Sequence, residues 1–183
     1  PLDQNMGHLG VQVAENSICL INRWHDFKFG EYNPLFCWGR GTHINKHPAG
    51  HVGHNASTNE IIDMGWDHAC AFNLGAKESV GTGLTCWGKN GYRQLEAPPS
   101  YEYLAMGPGH ICGVDGGALQ CRGDNAKGQS DPPGLVGNQA LSVGDDFTCV
   151  MQPITRHTNG KWWSEPVIQC FGDNTYGQLK APS

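Results

Sequence analysis

Apolar residues along the 183-residue chain come in short runs alternating with polar or small residues, and no stretch keeps a helical period over a useful length. Leu9, Val11 and Val13 alternate and predict a first strand, after a polar opening that reads as flexible. EIIDMGWDHACAF from Glu60 predicts a strand pair, and LTCWGKN from Leu84 adds to it. Residues 101–106 and 140–143 hold the same place further along. Glycine and proline punctuate these runs at even spacing, the signature of an all-β array of small units.

The clearest unit spans Gly107 to Gln129, where Gly116-Gly117 sits between two alternating runs. A two-residue hairpin turn needs positive φ at its centre, and a Gly-Gly pair supplies it. With Asp115 and Ala118 closing the turn, Cys112 falls opposite Cys121 at a non-hydrogen-bonded position. Cα atoms there approach to about 4.5 Å, inside the range that a disulfide spans.

This unit recurs. Gly65–Cys70 and Gly107–Cys112 share G-x-x-H-x-C, Gly144–Cys149 has Phe147 in the histidine place, and Ala14–Cys19 is a degenerate copy. Each is followed by a second cysteine and a common tail: CWGRGTHINK from Cys37, CWGKNGYRQL from Cys86, CRGDNAKGQS from Cys121 and CFGDNTYGQL from Cys170. Prolines follow every tail. The chain thus reads as a single repeat domain, 1–183, with four copies at about 9–48, 58–99, 100–133 and 138–183. Each copy joins its own two cysteines: Cys19 with Cys37, Cys70 with Cys86, Cys112 with Cys121, Cys149 with Cys170.

Zinc is the other use of paired cysteines, but no C-x-x-C occurs and each pair brackets a hairpin rather than a knuckle. Disulfides imply an oxidising setting, secreted or at the cell surface. A start at Pro1 fits a mature, processed chain, and no apolar run is long enough to span a bilayer. A net charge of −5 and pI of about 5.9 give no electrostatic footprint for nucleic acid. Asn55-Ala56-Ser57 is the one N-x-S/T sequon, in a polar setting that suits a glycan on Asn55.

The combination G-x-x-H-x-C, then C-W-G-x-N-x-x-G-Q-L, then prolines, resembles the repeats of the regulator-of-chromosome-condensation family. It is most similar to the cysteine-bearing extracellular type of crinkly-type receptor kinase ectodomains and secreted bacterial repeat proteins. The resemblance covers about residues 9–183 and is weakest in copy one. It implies that each copy is a blade of a β-propeller, commonly seven-bladed in that family. Four copies fit a four-bladed ring, part of a larger ring completed by another chain or a homo-oligomer, or a piece of a longer protein. The chromatin binding and nucleotide exchange of the nuclear founder are not carried over, given the acidity and the cysteines. A bacterial β-lactamase inhibitor built from related blades shows that the architecture suits protein capture, although fold does not fix function.

Residues common to the copies read as scaffold. Asn90, Asn125 and Asn174 are expected to brace their own turns, and Gln94, Gln129 and Gln178 to tie neighbouring blades. Arg93, where Gly128 and Gly177 stand in other copies, predicts a locally altered turn. His68 and His110, on the cysteine face, read as buried and hydrogen-bonded. Trp38 and Trp87, on the opposite face, read as blade packing.

Function is expected where copies differ. The residues between paired cysteines number 17, 15, 8 and 20 in chain order, so the hairpin tips vary and are expected on one rim. Two tips carry candidate binding residues: Trp24, His25 and Phe27 on one, and Arg156, His157, Trp162 and Trp163 on the other. Exposed Trp and Arg dominate binding hot spots, the alternative being aromatics that fold back for local packing. The resulting reading is a non-enzymatic recognition protein, with no cofactor, metal or catalytic residue, that binds an extracellular protein. A lectin is the alternative. A metal-dependent enzyme using His43, His47, His51 and His54 is weaker, because Pro48, Gly50 and Gly53 preclude a helix presenting them on one face. No G-x-S-x-G, H-E-x-x-H or phosphate-cradling loop occurs. Asp124, Asp145 and Asp146 occupy positions where turns favour Asp.

Overall fold

The computed structural model describes residues 10–21, 24–26, 30–32, 35–40, 44, 61–72, 84–97, 101–134 and 140–180. Every strand pairing among them is antiparallel, and all but the β2–β5 pair join strands consecutive in the chain. The chain divides into two compact units, Pro1–Asn90 and Gly91–Ser183.

In the first unit, β1 (Gly10–Ala14) and β2 (Ser17–Ile21) pair, and a small hairpin of β3 (Trp24–Asp26) and β4 (Gly30–Tyr32) precedes β5 (Leu35–Gly39). β5 returns beside β2, giving a sheet of order β1-β2-β5. Copy two repeats the plan with β6 (Ile61–Met64), β7 (His68–Phe72) and β8 (Thr85–Gly88). The second unit holds β9 (Tyr103–Met106), β10 (His110–Asp115) and β11 (Ala118–Gly123), then β12 (Ala140–Val143), β13 (Phe147–Thr158) and β14 (Lys161–Gly172).

The shared motifs have visible jobs. In copies two to four the first glycine of G-x-x-H/F closes the turn between the first two strands. Gly65, Gly107 and Gly144 N–H donate to the carbonyls of His68, His110 and Phe147 at 2.9, 2.9 and 2.8 Å. Cys112 faces Cys121 and Asp115 faces Ala118, as the Gly116-Gly117 turn predicts, and both glycines have positive φ. All four disulfides follow the pairing read from the repeat, with Cα–Cα distances of 4.2, 4.1, 4.1 and 4.1 Å in chain order.

One packing rule serves both units. The cysteine face of one copy buries the opposite face of the next. In the first unit, Cys19, Cys37 and Ala14 pack on Met64, Ala69, Ala71 and Trp87. In the second, Cys112, Cys121, Val114 and Leu119 pack on Val150 and Phe171, flanked by Leu141 and Val143. Register explains the match, since Met64, Ala69 and Trp87 lie abreast across one sheet as Val143, Thr148 and Phe171 do across the other. Trp87 also donates its indole N–H to the Ile44 carbonyl at 2.9 Å, so its one polar atom is satisfied where it is buried. Trp38, its counterpart, is 49% exposed among the described residues. The expectation of blade packing therefore holds for Trp87 and not for Trp38, because no described residue takes the place that copy one takes over Trp87.

The tail turns differ in two ways from expectation. Gln94, Gln129 and Gln178 each accept a hydrogen bond from the backbone N–H two residues earlier, at 2.9, 2.7 and 2.9 Å, and so brace their own turns. Gln129 also reaches copy four, through its carbonyl to Thr148 and its amide to Asp146. Asn125 and Asn174 accept from the N–H five residues on, as self-bracing turns need. Arg93 does not alter its turn: it takes φ 62°, in the same left-handed region as Gly128 at 81° and Gly177 at 80°, and pairs with Glu96 at 2.7 Å.

His110 is fully buried on the cysteine face with its Nε2 on Thr148 Oγ1 at 2.9 Å, and burial holds its pKa down at about 4. His68 is equally buried.

Candidate functional site

In copy four, β12 pairs with β13 only as far as Met151. Beyond it, among the described residues, β13 and β14 continue as a two-stranded ribbon, paired without a break from Gln152/Val167 to Thr158/Lys161. Asn159 and Gly160 turn it, with φ of 52° and 75°. Asn-Gly is the preferred pair for such a turn, since both central residues need positive φ. That dipeptide is the sequence signal for the ribbon. The variable tip is legible without it, but two strands of 12 residues each are not.

The ribbon brings together four of the predicted binding residues. His157 faces Trp162 and Arg156 faces Trp163 across the pair of strands. The His157 and Trp162 rings lie 4.4 Å apart and tilted by 33°, an offset contact that orients the indole. Strand alternation puts His157 and Trp162 on the face that carries Cys149 and Cys170, and Arg156 and Trp163 on the other. Arg156 forms an ion pair with Glu165. Trp162 is 72% exposed and Trp163 42%, so these rings do not fold back into a core.

Trp24 and His25 lie on β3, opposite Tyr32 and Glu31 of β4. Phe27, the sequon at Asn55 and the histidines at 43, 47, 51 and 54 lie outside the described residues. All eight cysteines are bonded, which leaves no thiol to act as nucleophile or metal ligand. The aspartates serve turns: Asp124 and Asp173 carboxylates accept the backbone N–H of Ala126 and Thr175. Partial desolvation first, then Asp145, Asp124 and Asp173, raise the pKa of Asp146.

A second surface, which the sequence reading misses, is an open cleft of about 450 Å³ lined by Tyr92, Arg93, Glu96, Arg122 and Asn125. Its signal is the slot two residues before the tail glutamine, tyrosine in two copies, where Tyr176 is 91% exposed. The cleft's charges are already paired or spent: Arg93 holds Glu96, and Arg122 donates to the Cys121 carbonyl at 2.9 Å. The ribbon therefore offers the better-defined contact surface.

Comparison with known proteins bears on the fold. No family model matches the chain, and no curated protein does, so the regulator-of-chromosome-condensation family stays a resemblance carried by motifs. Among solved structures, the chain is similar to the CRINKLY WD40 ectodomain of the Arabidopsis thaliana receptor kinase ACR4, at 19% identity and TM-score 0.56 over 90% of this chain and 50% of that one. It is also similar to the ectodomain of the Physcomitrella patens receptor kinase CR4, at 16% identity and TM-score 0.56, over 92% of this chain and 41% of that one. The chain spans about half the length of these ectodomains or less. The fold class is thereby all-β and β-propeller-like, with each three-stranded, disulfide-crossed sheet a blade.

Proposed function

We propose that this chain is an extracellular, non-enzymatic recognition module that binds a protein partner through the β13–β14 ribbon. The observation that carries the reading is the pair of tryptophans held outward at the ribbon tip, Trp162 braced by His157 and Trp163 facing Arg156. Large, rigid aromatic surface beside a guanidinium is the composition of binding hot spots. Four disulfides suit an oxidising compartment, and the structural neighbours being receptor ectodomains supports the same address. A glycan on Asn55 belongs to this reading.

The test uses the chain with a photoreactive side chain in place of exposed Thr158 at the ribbon tip, exposed to extracellular fluid, with and without Trp162→Ala. A discrete crosslinked protein that the substitution reduces at least ~10-fold supports the reading, since a central anchor is worth about 1.4 kcal/mol or more. Equal crosslinking by both forms overturns the ribbon as the surface. A lectin is the second reading, favoured by the one broad open face of Trp162, on which a sugar ring can stack. A glycan array decides it, with silence across a broad array dismissing carbohydrate.

A further inference from the structure

The ribbon outreaches its neighbour in the array. In copy three the hairpin closes at Asp115/Ala118, and the matching level of copy four, counted from the disulfides, is Gln152/Val167. Val150 and Phe171, at the foot of the ribbon, pack on Cys112, Val114, Leu119 and Cys121, so the face they belong to is turned toward copy three. Further along that face come Ile154 and Glu165, then Arg156 and Trp163, then Thr158 and Lys161, all beyond the copy-three hairpin. Arg156, Thr158, Lys161 and Trp163 are exposed there.

The two faces of the tip differ in charge. Thr155, His157, Trp162 and Ser164 share one face, whereas Arg156, Lys161 and Glu165 all lie on the other. Glu165 holds Arg156 through Nε, and Lys161 pairs with no carboxylate among the described residues. From Ile154 to Trp163 the chain carries Arg156 and Lys161 and no carboxylate, although its net charge is −5. A basic partner would be drawn to the body of such a chain and away from this tip, whereas an acidic one is steered to it.

The ribbon edges are closed to strand addition. Cys149 and Cys170, with Cα atoms 4.1 Å apart, mark a non-hydrogen-bonded level, and alternation makes the Pro153/Pro166 level another. There a strand's N–H groups point outward, and proline has none, so both edges lack a donor at the same height. Recognition is left to side chains.

We infer that the Trp163 face takes an acidic segment of the partner protein, its carboxylates meeting Lys161 and the Nη groups of Arg156 and an apolar residue lying on the Trp163 ring. The inference rests on the ribbon reading above and adds to it the face and the sign of the charge. Trp162, on the other face, keeps the uncharged part of the contact.

Fluorine NMR of the chain labelled with 5-fluorotryptophan tests it, with signals assigned by Trp162→Phe and Trp163→Phe. The probe is a soluble peptide of repeated Glu-Glu-Leu, and a Lys-Lys-Leu peptide is the control. The acidic probe should shift the Trp163 signal. Lys161→Glu should weaken that response by about 5-fold, the upper worth of an exposed charge pair. Thr155→Glu, which sets the same negative charge on the opposite face, should leave it in place. An equal shift from the basic peptide, a response at Trp162 alone, or an equal loss with Thr155→Glu overturns the inference and leaves the ribbon standing as the surface. Silence of both indoles toward the acidic probe overturns it too, and the crosslinking experiment then decides the ribbon reading by itself.

Discussion

His110 donates its Nε2 proton to Thr148 Oγ1 at 2.9 Å, because Thr148 gives its own proton to the Gln129 carbonyl at 3.1 Å. The relay joins copy three to copy four and fixes the imidazole tautomer. Nδ1 is then the bare nitrogen, buried with no hydrogen-bond partner among the described residues. A proton added there would be a buried cation facing no acceptor, which is the physical cause of a pKa near 4 against the usual 6.5.

The unfolded chain therefore takes up this proton first as pH falls. Stability is unaffected by His110 above pH 6.5, declines between about 6.5 and 4, and levels below. Over that window the loss should reach about 3 kcal/mol, because a group that binds its proton only in the unfolded chain costs the fold about 1.4 kcal/mol for each pH unit. Urea melts at neutral and mildly acid pH should show it. His110→Phe, which copies the Phe147 place of copy four, should flatten the slope relative to wild type. An unchanged slope would mean that His110 is not the group responsible.

Gly113 lies against the ring of Tyr101, and a Cβ added there would collide with Tyr101 Cδ2 and Cγ. Tyr101 is buried and donates its hydroxyl to the Gln120 carbonyl at 3.0 Å, so the ring has nowhere to move. Gly113→Ala should destabilise the second unit by about 1–3 kcal/mol, the usual range for overpacking. The same phenol, desolvated by burial, has its pKa pushed up to about 12. Burial, and then Glu102, raise the pKa of Tyr103 as well, so spectrophotometric titration should find late-ionising tyrosines, of which Gly113→Ala should bring Tyr101 back toward the ordinary range if its ring is displaced.

Arg93 and Gly128 hold the same backbone conformation with different side chains. Non-glycine residues are strained in the left-handed region. Arg93→Gly should raise the melting midpoint by about 2 °C, and Gly128→Arg should lower it by a similar amount. A Cβ at half-buried Gly128 meets nothing within 4 Å, and the Arg93–Glu96 pair lost in the first change is an exposed one that contributes little.

Access distinguishes the disulfides. Cys112–Cys121 is buried under copy four, while Cys149 and Cys170 are only half-buried. Exchange needs an attacking thiolate to reach sulfur. Under a mild reductant in native conditions, peptide mapping should find Cys149–Cys170 opened first.

The scaffold is legible in the sequence because repetition supplies its own controls. Four cysteine pairs, a glycine turn between them and a shared tail fix the strands and the register without long-range information. Trp38 is where this fails. It matches Trp87 in local sequence, but burial depends on what lies over a residue, and that is not written beside it. Arg93 fails for a related reason: a glycine-demanding turn persists with arginine because its neighbours enforce it. The ribbon tip is legible as composition, Arg156 to Trp163, and its reach follows only from Asn159-Gly160 ending a strand pair that nothing interrupts.

The placement of Cys149 and Cys170 at the foot of the ribbon has a further effect. A protease that nicks the exposed Asn159-Gly160 loop produces two pieces that stay covalently linked below the cut, while the sheet under them keeps its register. Sequence at the tip is thus free to drift, lengthen or even be severed without the blade coming apart, so novelty there is insulated from the rest of the molecule.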